Sequence, residues 1–565
     1  MKSLADKLTS GFSRLLSKKS GVDDDPLTNL RTVANWVDNL PVGDAYKCQH
    51  AIIDELRRFN EQQPQLTKHR LSVLMMLDEK SRDLQDTLSR QYLRNPRMSR
   101  SVESQLWHAV YGLYWEIARG YHAFVLHYAR EAGRTRHESL IPLVTLRAIG
   151  IFGQLLKWRA IRYMPAGEKL WLRLHNLYSI AEAEDFHQKV QRAYPNHAAE
   201  SSCETAYLHI LMLNLADSGT LYPKQLDLLD QWLANWHRPL QLNARLDINV
   251  HNFAIDLSAD HGPRRVRKPN TDKPMRFWAT ADLLSKLERL QEALREGSSP
   301  AELGLTENAR TAETLDMLAH LHRQWSPLAT REQRRAPRAS IKRLADVAHG
   351  LSAVINQIKM PDSAETASVY NGNLDKAEID DVQIYGYITD HTRERVSQMK
   401  PLPHRNSHEV ERWVMQDESA CGFGAVVESS DKDWLRVGAL TSVKSHDAPE
   451  WTLGIVRRLS RVNDDTSSVG IETLPETPLL AMLYETATSG YTVDGFDNSS
   501  GGQPHASLWL EDKSGAVSVI IDPIAYMPHR VFRVRGVPGH ELIALSDPIE
   551  RSEGWMRVAT KPVSD

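Results

Sequence analysis

The stretch WVMQDESACGFGAVV, residues 413–427, decides how this chain reads. Trp413, Val414 and Met415 enter as a strand, and Ala425, Val426 and Val427 leave as one. Between them lies a short polar turn. Asp417 and Ser419 can take up turn amides with their side-chain oxygens, as Asp and Ser do in tight turns. An ionised Asp417 can equally accept from the N–H edge of a guanine. Gly422 and Gly424 permit either tight backbone geometry or close ligand approach. An ordinary hairpin and one wall of a binding site both stay open.

Downstream of residue 338, short strand candidates dominate. They fall at 340–348, 382–389, 409–416, 422–428, 434–440, 451–459 and 468–474, then at 507–511, 517–521, 530–535, 541–545 and 555–560. Clusters of Gly, Pro, Asp, Asn and Ser separate them. Such spacing predicts antiparallel sandwiches or barrels, enough for two small barrels or one elaborated one. Polar runs at 359–378 and 495–505 read as long loops.

Upstream, apolar residues recur at helical spacing. Ile52, Ile53, Leu56 and Phe59 share a face, as do Leu106, Val110, Leu113 and Ile117, and then Leu170, Leu174, Leu177 and Ala181. Further helices are predicted over 280–297, with Gly297 as C-cap, and over 312–325. The basic run PRRVRKPNTDKPMR, 263–276, reads as a solvated connector, because no aromatic is interleaved with its charges. The first twenty residues form a basic amphipathic helix, suited to an anionic membrane surface, a partner, or packing on its own domain.

The fold class expected is therefore α+β and multidomain: an N-terminal all-α bundle or solenoid, then an antiparallel β-barrel, then a further C-terminal β region. The boundaries fall at 1–26 for the basic leader, 27–330 for the helices, 331–475 for the first barrel and 476–565 for the last region.

The bulk numbers narrow the function. The chain has 565 residues, a formal net charge of −3, 41% hydrophobic and 25% charged residues. That balance carries no global polyanion-binding signature, so any nucleotide site is a local patch. Cys48, Cys203 and Cys421 are far apart, which argues against a disulfide framework or structural zinc and fits a reducing cytoplasm. There is no run of eighteen apolar residues and no secretory leader pattern. The expected location is cytoplasmic, peripheral at the inner membrane surface if residues 1–20 bind lipid. Nucleophile-elbow, Walker A, zinc-protease and dinucleotide fingerprints are absent, so the expectation is a non-enzyme without metal or cofactor. His320 and His322 stand two apart on a helix and are poor co-ligands; His122 and His127 read as packing or surface residues.

The arginines of RRAPR, 334–338, carry more. Arg334, Arg335 and Arg338 lie between the last helix and the first strand, and Pro337 disfavours a continuing helix. Guanidinium forks bind phosphate bidentately, reach the guanine O6/N7 edge and stack on purines. Alone, the run is equally a solvated linker.

Together, Arg334-Arg335-Ala336-Pro337-Arg338 and Asp417-Glu418-Ser419-Ala420-Cys421-Gly422 resemble the signature of the PilZ domain, R-x-x-x-R followed by [DN]-x-S-x-x-G. The later runs DWLRVGALTSV, EWTLGIVRRLSRV and SSVGIETL are also similar to that family's strands, so the resemblance covers roughly 330–475. The chain resembles an atypical multidomain member with a helical N-terminal region. The family's motifs sit closer together, which implies an insertion within about 356–408.

The resemblance implies cyclic di-GMP as ligand. Arg334, Arg335 and Arg338 would clamp phosphates and stack on guanine, Asp417 and Ser419 would read a guanine edge, and Gly422 would let the ligand approach. It also implies coupling of ligand binding to a helical scaffold that grips a protein partner. Two other readings remain: a nucleotide-independent scaffold with a degenerate barrel, and a nucleic-acid binder using 263–276 and the 331–343 cluster, which the scarcity of aromatics disfavours.

Overall fold

The computed structural model describes residues 26–563 except 28, 42, 63–65, 96–97, 131–137, 168, 197–198, 237–239, 267–272, 306–309, 328–338, 360–409 (Asp381, Thr389 and Thr392 excepted), 430–431, 446–447, 449, 464 and 487–503. The predicted leader helix, the RRAPR run, the strand over 382–389 (Thr389 apart) and most of both long loops lie outside the described residues. The chain divides into two units. One holds the chain through Arg159 with Ala166–Ala216 and Asp227–Pro327; the other holds Ala160–Pro165, Asp217–Leu226 and the chain from Leu328 onward.

The first unit is built on helices: α1 Leu30–Asp38, α2 Ala45–Glu61, α3 Lys68–Arg94, α4 Arg100–Arg130, α5 Ile141–Ile161, α6 Leu170–Ala183, α7 Cys203–Leu215, α8 Pro223–Asn235, α9 Ala281–Arg295 and α10 Thr311–Trp325. The ends of α5 and α8 pass into the second unit. Local sequence sets the starts. Asn29 and Thr32 form a capping box, and Asp44, Thr67 and Ser202 each accept a first-turn amide. Gly297 follows α9 at φ +104°, and the Ser298 amide donates back to the Ala293 carbonyl, as a glycine C-cap requires. By length and composition α5 could cross a membrane, but its most apolar window is 72% buried inside the fold, as in a core helix.

The described ends of the 263–276 run are not a solvated connector. They form strands β4 (Arg264–Arg265) and β5 (Met275–Trp278), which flank β3 (Phe253–Asp256) in a three-stranded sheet; β1 (Gln191–Arg192) and β2 (Glu200–Ser201) form a separate short pair. Three of the run's described cations have intrachain acceptors. Arg265 donates to the carbonyls of Gln324 (2.6 Å) and Ser326 at the end of α10. Arg276 pairs with Glu182, and Lys273 with Asp256 at 2.6 Å. Ion pairs and helix-end carbonyls thus pull a basic run into a sheet that its composition did not reveal.

A fully buried histidine adds to this unit's sensitivity to acid. The fully buried His175 donates from Nε2 to the His261 carbonyl (3.1 Å) and accepts at Nδ1 from the Tyr207 hydroxyl (2.7 Å). Burial pushes its imidazole down to about 4. Above pH ~6.5 both folded and unfolded chains hold it neutral; between ~6.5 and 4 only the unfolded chain takes the proton, so stability falls as pH drops. The expected loss is up to about 3 kcal/mol. Thermal melts followed by helical ellipticity should show that decline over this window. His175→Gln, which cannot titrate, should make it shallower, leaving the share of His122, which burial also pushes down to about 4.

The second unit contains two closed barrels. The first comprises β6 Ala339–His349, β7 Val410–Ser419, β8 Gly422–Glu428, β9 Leu440–Ser445, β10 Thr452–Arg461 and β11 Thr466–Thr473. The second comprises β12 Leu479–Glu485, β13 His505–Glu511, β14 Val517–Ile521, β15 Val531–Arg535, β16 Leu542–Arg551 and β17 Met556–Pro562. Numbering the six strands of each in chain order, both close antiparallel as 1-2-3-6-5-4. The fold is therefore α+β and multidomain, helices first and two β-barrels after.

Two strand expectations need correction. Residues 434–439 are not a strand. Gly438 turns the chain there at φ +80°, with the Tyr222 ring against it, and β9 starts only at Leu440. The strand β12 was not expected, because LLAMLYE is mostly helix-favouring Leu, Ala, Met and Glu without β-branching; pairing on both sides overrides that propensity.

Each barrel has its own interior, the first around Val347, Trp413, Met415, Val427, Val456 and Ile471, the second around Trp509, Phe532, Leu545 and Val558. A further apolar cluster joins them. Helix α11 (Leu351–Lys359) brings Val354 and Ile355 to Leu440, Leu453 and Ile455 of the first barrel and to Leu508, Leu510, Ile520 and Trp555 of the second. Polar ties frame this seam. The Gly438 carbonyl accepts from Trp555 Nε1 (2.9 Å) and Ser552 Oγ (2.8 Å), while Arg457 bridges Glu472 (2.7 Å) and Glu550 (3.0 Å). Because the barrels share a core, calorimetry should show them unfolding in one transition. Trp555→Ala, removing a buried indole worth about 3–5 kcal/mol, should split it into two.

Candidate ligand-binding turn on the first barrel

The polar turn of residues 413–427 is the β7–β8 hairpin. At its base Ser419 pairs with Gly422, then Glu418 with Phe423 and Asp417 with Gly424. A β-bulge falls between Met415 and Asp417. This bulge sets the chemistry. Met415 points into the core opposite Ala425. Strict alternation would send residue 417 the same way, but the extra residue Gln416 turns Asp417 outward, opposite Gly424. The carboxylate lies over Gly424: a Cβ added there would stand 2.8 Å from Asp417 Cγ. Gly424 thus makes room for Asp417. Nothing in the sequence marks Gln416 as a bulge residue.

Ser419 closes the turn. Its Oγ donates to the Gly422 carbonyl (3.3 Å) and receives the Cys421 amide (3.4 Å). Gly422 serves the barrel wall. An added Cβ would overlap the Ile471 carbonyl oxygen of β11 and come within 3.2 Å of Glu472 Cα. The close approach that this glycine allows is that of a neighbouring strand.

On its other side β7 pairs with β6, Asp417 opposite Ser340 and Glu418 opposite Ala339. Arg343 of β6 reaches Glu418 at 3.6 Å. Arg334, Arg335 and Arg338 lie outside the described residues. The far end of the same hairpin pairs Ala348 with Val410. The long β6–β7 connection, residues 350–409, therefore leaves and returns at the end of the barrel opposite the polar turn.

That opposite end holds a second polar cluster that sequence reading missed. Glu411 accepts from the indoles of Trp413 and Trp434, each at 2.8 Å, and from Lys432. The Trp434 ring lies parallel to His349, with centroids 4.1 Å apart, and stacks on Trp413 at 5.7 Å. Burial opposes ionisation of Glu411, but these donors outweigh it and hold the carboxyl below its ordinary range. Both carboxylate oxygens are engaged, so the cluster fastens the segment after β8 to the barrel. Among the described residues no three His, Cys, Asp or Glu side chains gather as metal ligands. His320 and His322 are apart in role as well, one on the Ala216 carbonyl and the other on Glu288.

Residues 31–245 match the family model described as "Cyclic-di-GMP receptor FimW, N-terminal domain". The match falls on the helical region, from α1 to beyond α8. A curated relative, "Cyclic-di-GMP receptor FimW" of Pseudomonas aeruginosa, is 23% identical over 389 residues, which is 63% of this chain and 62% of the relative. No solved structure matches the chain.

The two turn glycines should separate in stability. Gly422→Ala meets backbone and should cost about 1–3 kcal/mol by denaturant unfolding. Gly424→Ala meets only the end of a side chain and should leave the midpoint nearly unchanged while displacing Asp417.

Proposed function

We propose that this chain is a cyclic di-GMP receptor, not an enzyme, and that the first barrel is a PilZ-like module holding the ligand at the β7–β8 turn. The observation that carries this reading is the β6–β7 register. Ala339 follows Arg338 directly in the chain and pairs with Glu418, and Ser340 pairs with Asp417. Two residues of chain reach about 7 Å at most. The 78 residues between Arg338 and Asp417 are thus compatible with one site, because the connection departs from the other end of the hairpin.

In this reading Arg334, Arg335 and Arg338 clamp the phosphates, with their guanidinium planes available to stack on guanine. Asp417, turned outward by its bulge, accepts from a guanine N–H edge. Gly422 keeps β8 and β11 close so that the turn holds its shape. The name carried by the matching family and by the Pseudomonas aeruginosa relative gives independent support, since the family match lies on the helices and not on the motif residues. The helical region would supply the surface that carries the signal to a protein partner.

One observation favours the nucleotide-independent scaffold instead: Ser419 caps its own turn, as it would in a hairpin with no ligand. Isothermal titration of the full chain with cyclic di-GMP separates the two. Binding in the micromolar range or tighter is expected. Asp417→Ala should weaken it about 10- to 150-fold, the worth of a charge-assisted hydrogen bond of about 1.5–3 kcal/mol. Arg334→Ala with Arg338→Ala should weaken it further. No heat at tens of micromolar folded protein would sink the receptor reading, and unchanged affinity in the double variant would sink the arginine assignment alone.

A further inference from the structure

We infer that the binding surface continues past the motif residues, across the outer wall of the first barrel, and that Arg458 on β10 is its far ligand contact. This inference rests on the receptor reading. Four residues on neighbouring strands stand in one row: Asp417 on β7 pairs with Gly424 on β8, Gly424 with Gly470 on β11, and Gly470 with Arg458 on β10. All four face outward. Their neighbours Met415, Ala425, Val469 and Ile471 point into the barrel core. A Cβ added at Gly470 would lie 3.3 Å from Arg458 Cβ, so the two share a face.

A bulge sets each end of the row. Like the bulge at Gln416, the one between Val456 and Arg458 inserts an extra residue, Arg457. Val456 faces the core, and the insertion turns Arg458 to the outside, where it is exposed. Two irregularities thus bring one carboxylate and one arginine to the same outer face, on either side of a glycine strip. The strip between them carries no side chain of its own. Adjacent strands lie about 4.8 Å apart, so β8 and β10 flank β11 with roughly 10 Å between them. A planar base can lie flat on the bare Gly470 peptide, with the Asp417 carboxylate at one edge to accept from N–H groups. Arg458 at the other edge can donate to O6 and N7 or to a phosphate oxygen. The chemical class that fits is a guanine nucleotide.

The second barrel is a built-in contrast. Its strand order is the same, so β13, β14 and β17 correspond to β7, β8 and β11. The corresponding outward row begins Leu510, Ser518, Ala559. Leu508, Leu510 and Ile520 of that face are buried in the seam between the barrels. Its hairpin turn also holds an Asp-x-Ser, but Asp512 Oδ1 is occupied by the amides of Ser514 (2.8 Å) and Ala516 (2.9 Å) and by the Ser514 hydroxyl. The second barrel therefore offers no equivalent floor, and one ligand site per chain is expected.

The test is titration of the full chain with cyclic di-GMP. Arg458→Ala should lower affinity at least tenfold, and Arg458→Lys should recover part of it. Gly470→Ala, whose methyl would stand on the floor 3.3 Å from the Arg458 Cβ, should also lower affinity at least tenfold, titrated at a temperature where its melt shows it folded. Arg533→Ala, an exposed arginine of the second barrel, should change nothing. If the unaltered chain binds and both floor variants bind equally well, the inference is wrong and the receptor reading stands. If the unaltered chain gives no heat, both fall.

Discussion

The candidate site depends on the antiparallel register of β6 against β7. Because Ser340 stands opposite Asp417, the residues just before β6 and those at the end of β7 are neighbours whatever happens between the strands. Sequence separation then says little. A hairpin may carry any length of chain at its closed end, and the entropy of a longer loop rises only slowly, by about 0.6 kcal/mol per doubling. Sixty residues between β6 and β7 lie beyond the Ala348–Val410 pair, on the side away from the polar turn. The Glu411 cluster sits at that far end and holds the barrel wall where the connection enters.

Two barrels of one topology, joined by a common core, have different faces free. The first meets the seam with the outer surface of β9 and β10, through Leu440, Leu453 and Ile455. The second meets it with the outer surface of β13 and β14, through Leu508, Leu510 and Ile520. Burying an apolar face is what holds the pair together, and the choice of face leaves the β7–β8 surface of the first barrel outside the seam. The seam is also tied to the turn at short range. Glu472, which holds Arg457 and through it Glu550, is the strand partner of Gly422.

Much of this was legible in the sequence, for identifiable reasons. Helices came through where Ile52, Leu56 and Phe59 or Leu170, Leu174 and Leu177 kept a 3.6-residue period. The barrel strands came through where Val, Ile and Trp alternate between glycines. The strand β12 did not, because LLAMLYE has no β-branched residue and only its two neighbours make it a strand. The basic run 263–276 did not, because its partners Glu182, Asp256 and the end of α10 are distant in sequence or carry no motif. At the site, the residue types were readable but their directions were not. Asp417 and Arg458 face outward only because Gln416 and Arg457 are bulged, and a bulge has no side-chain signature.

The same limit applies to the glycines of the motif region, which look alike in sequence and do different work. Gly422 lets two strands approach, Gly424 lies under a carboxylate, and Gly470 leaves a strip of backbone bare. Among the described residues, an added Cβ at Gly470 meets only the Arg458 Cβ, at 3.3 Å, and no backbone or carboxylate. A glycine in a strand weakens it by lost packing and added chain entropy. At Gly422 and Gly424 the fold itself accounts for that weakness. At Gly470 the proposed ligand would supply that compensation by lying on the strand beside Arg458.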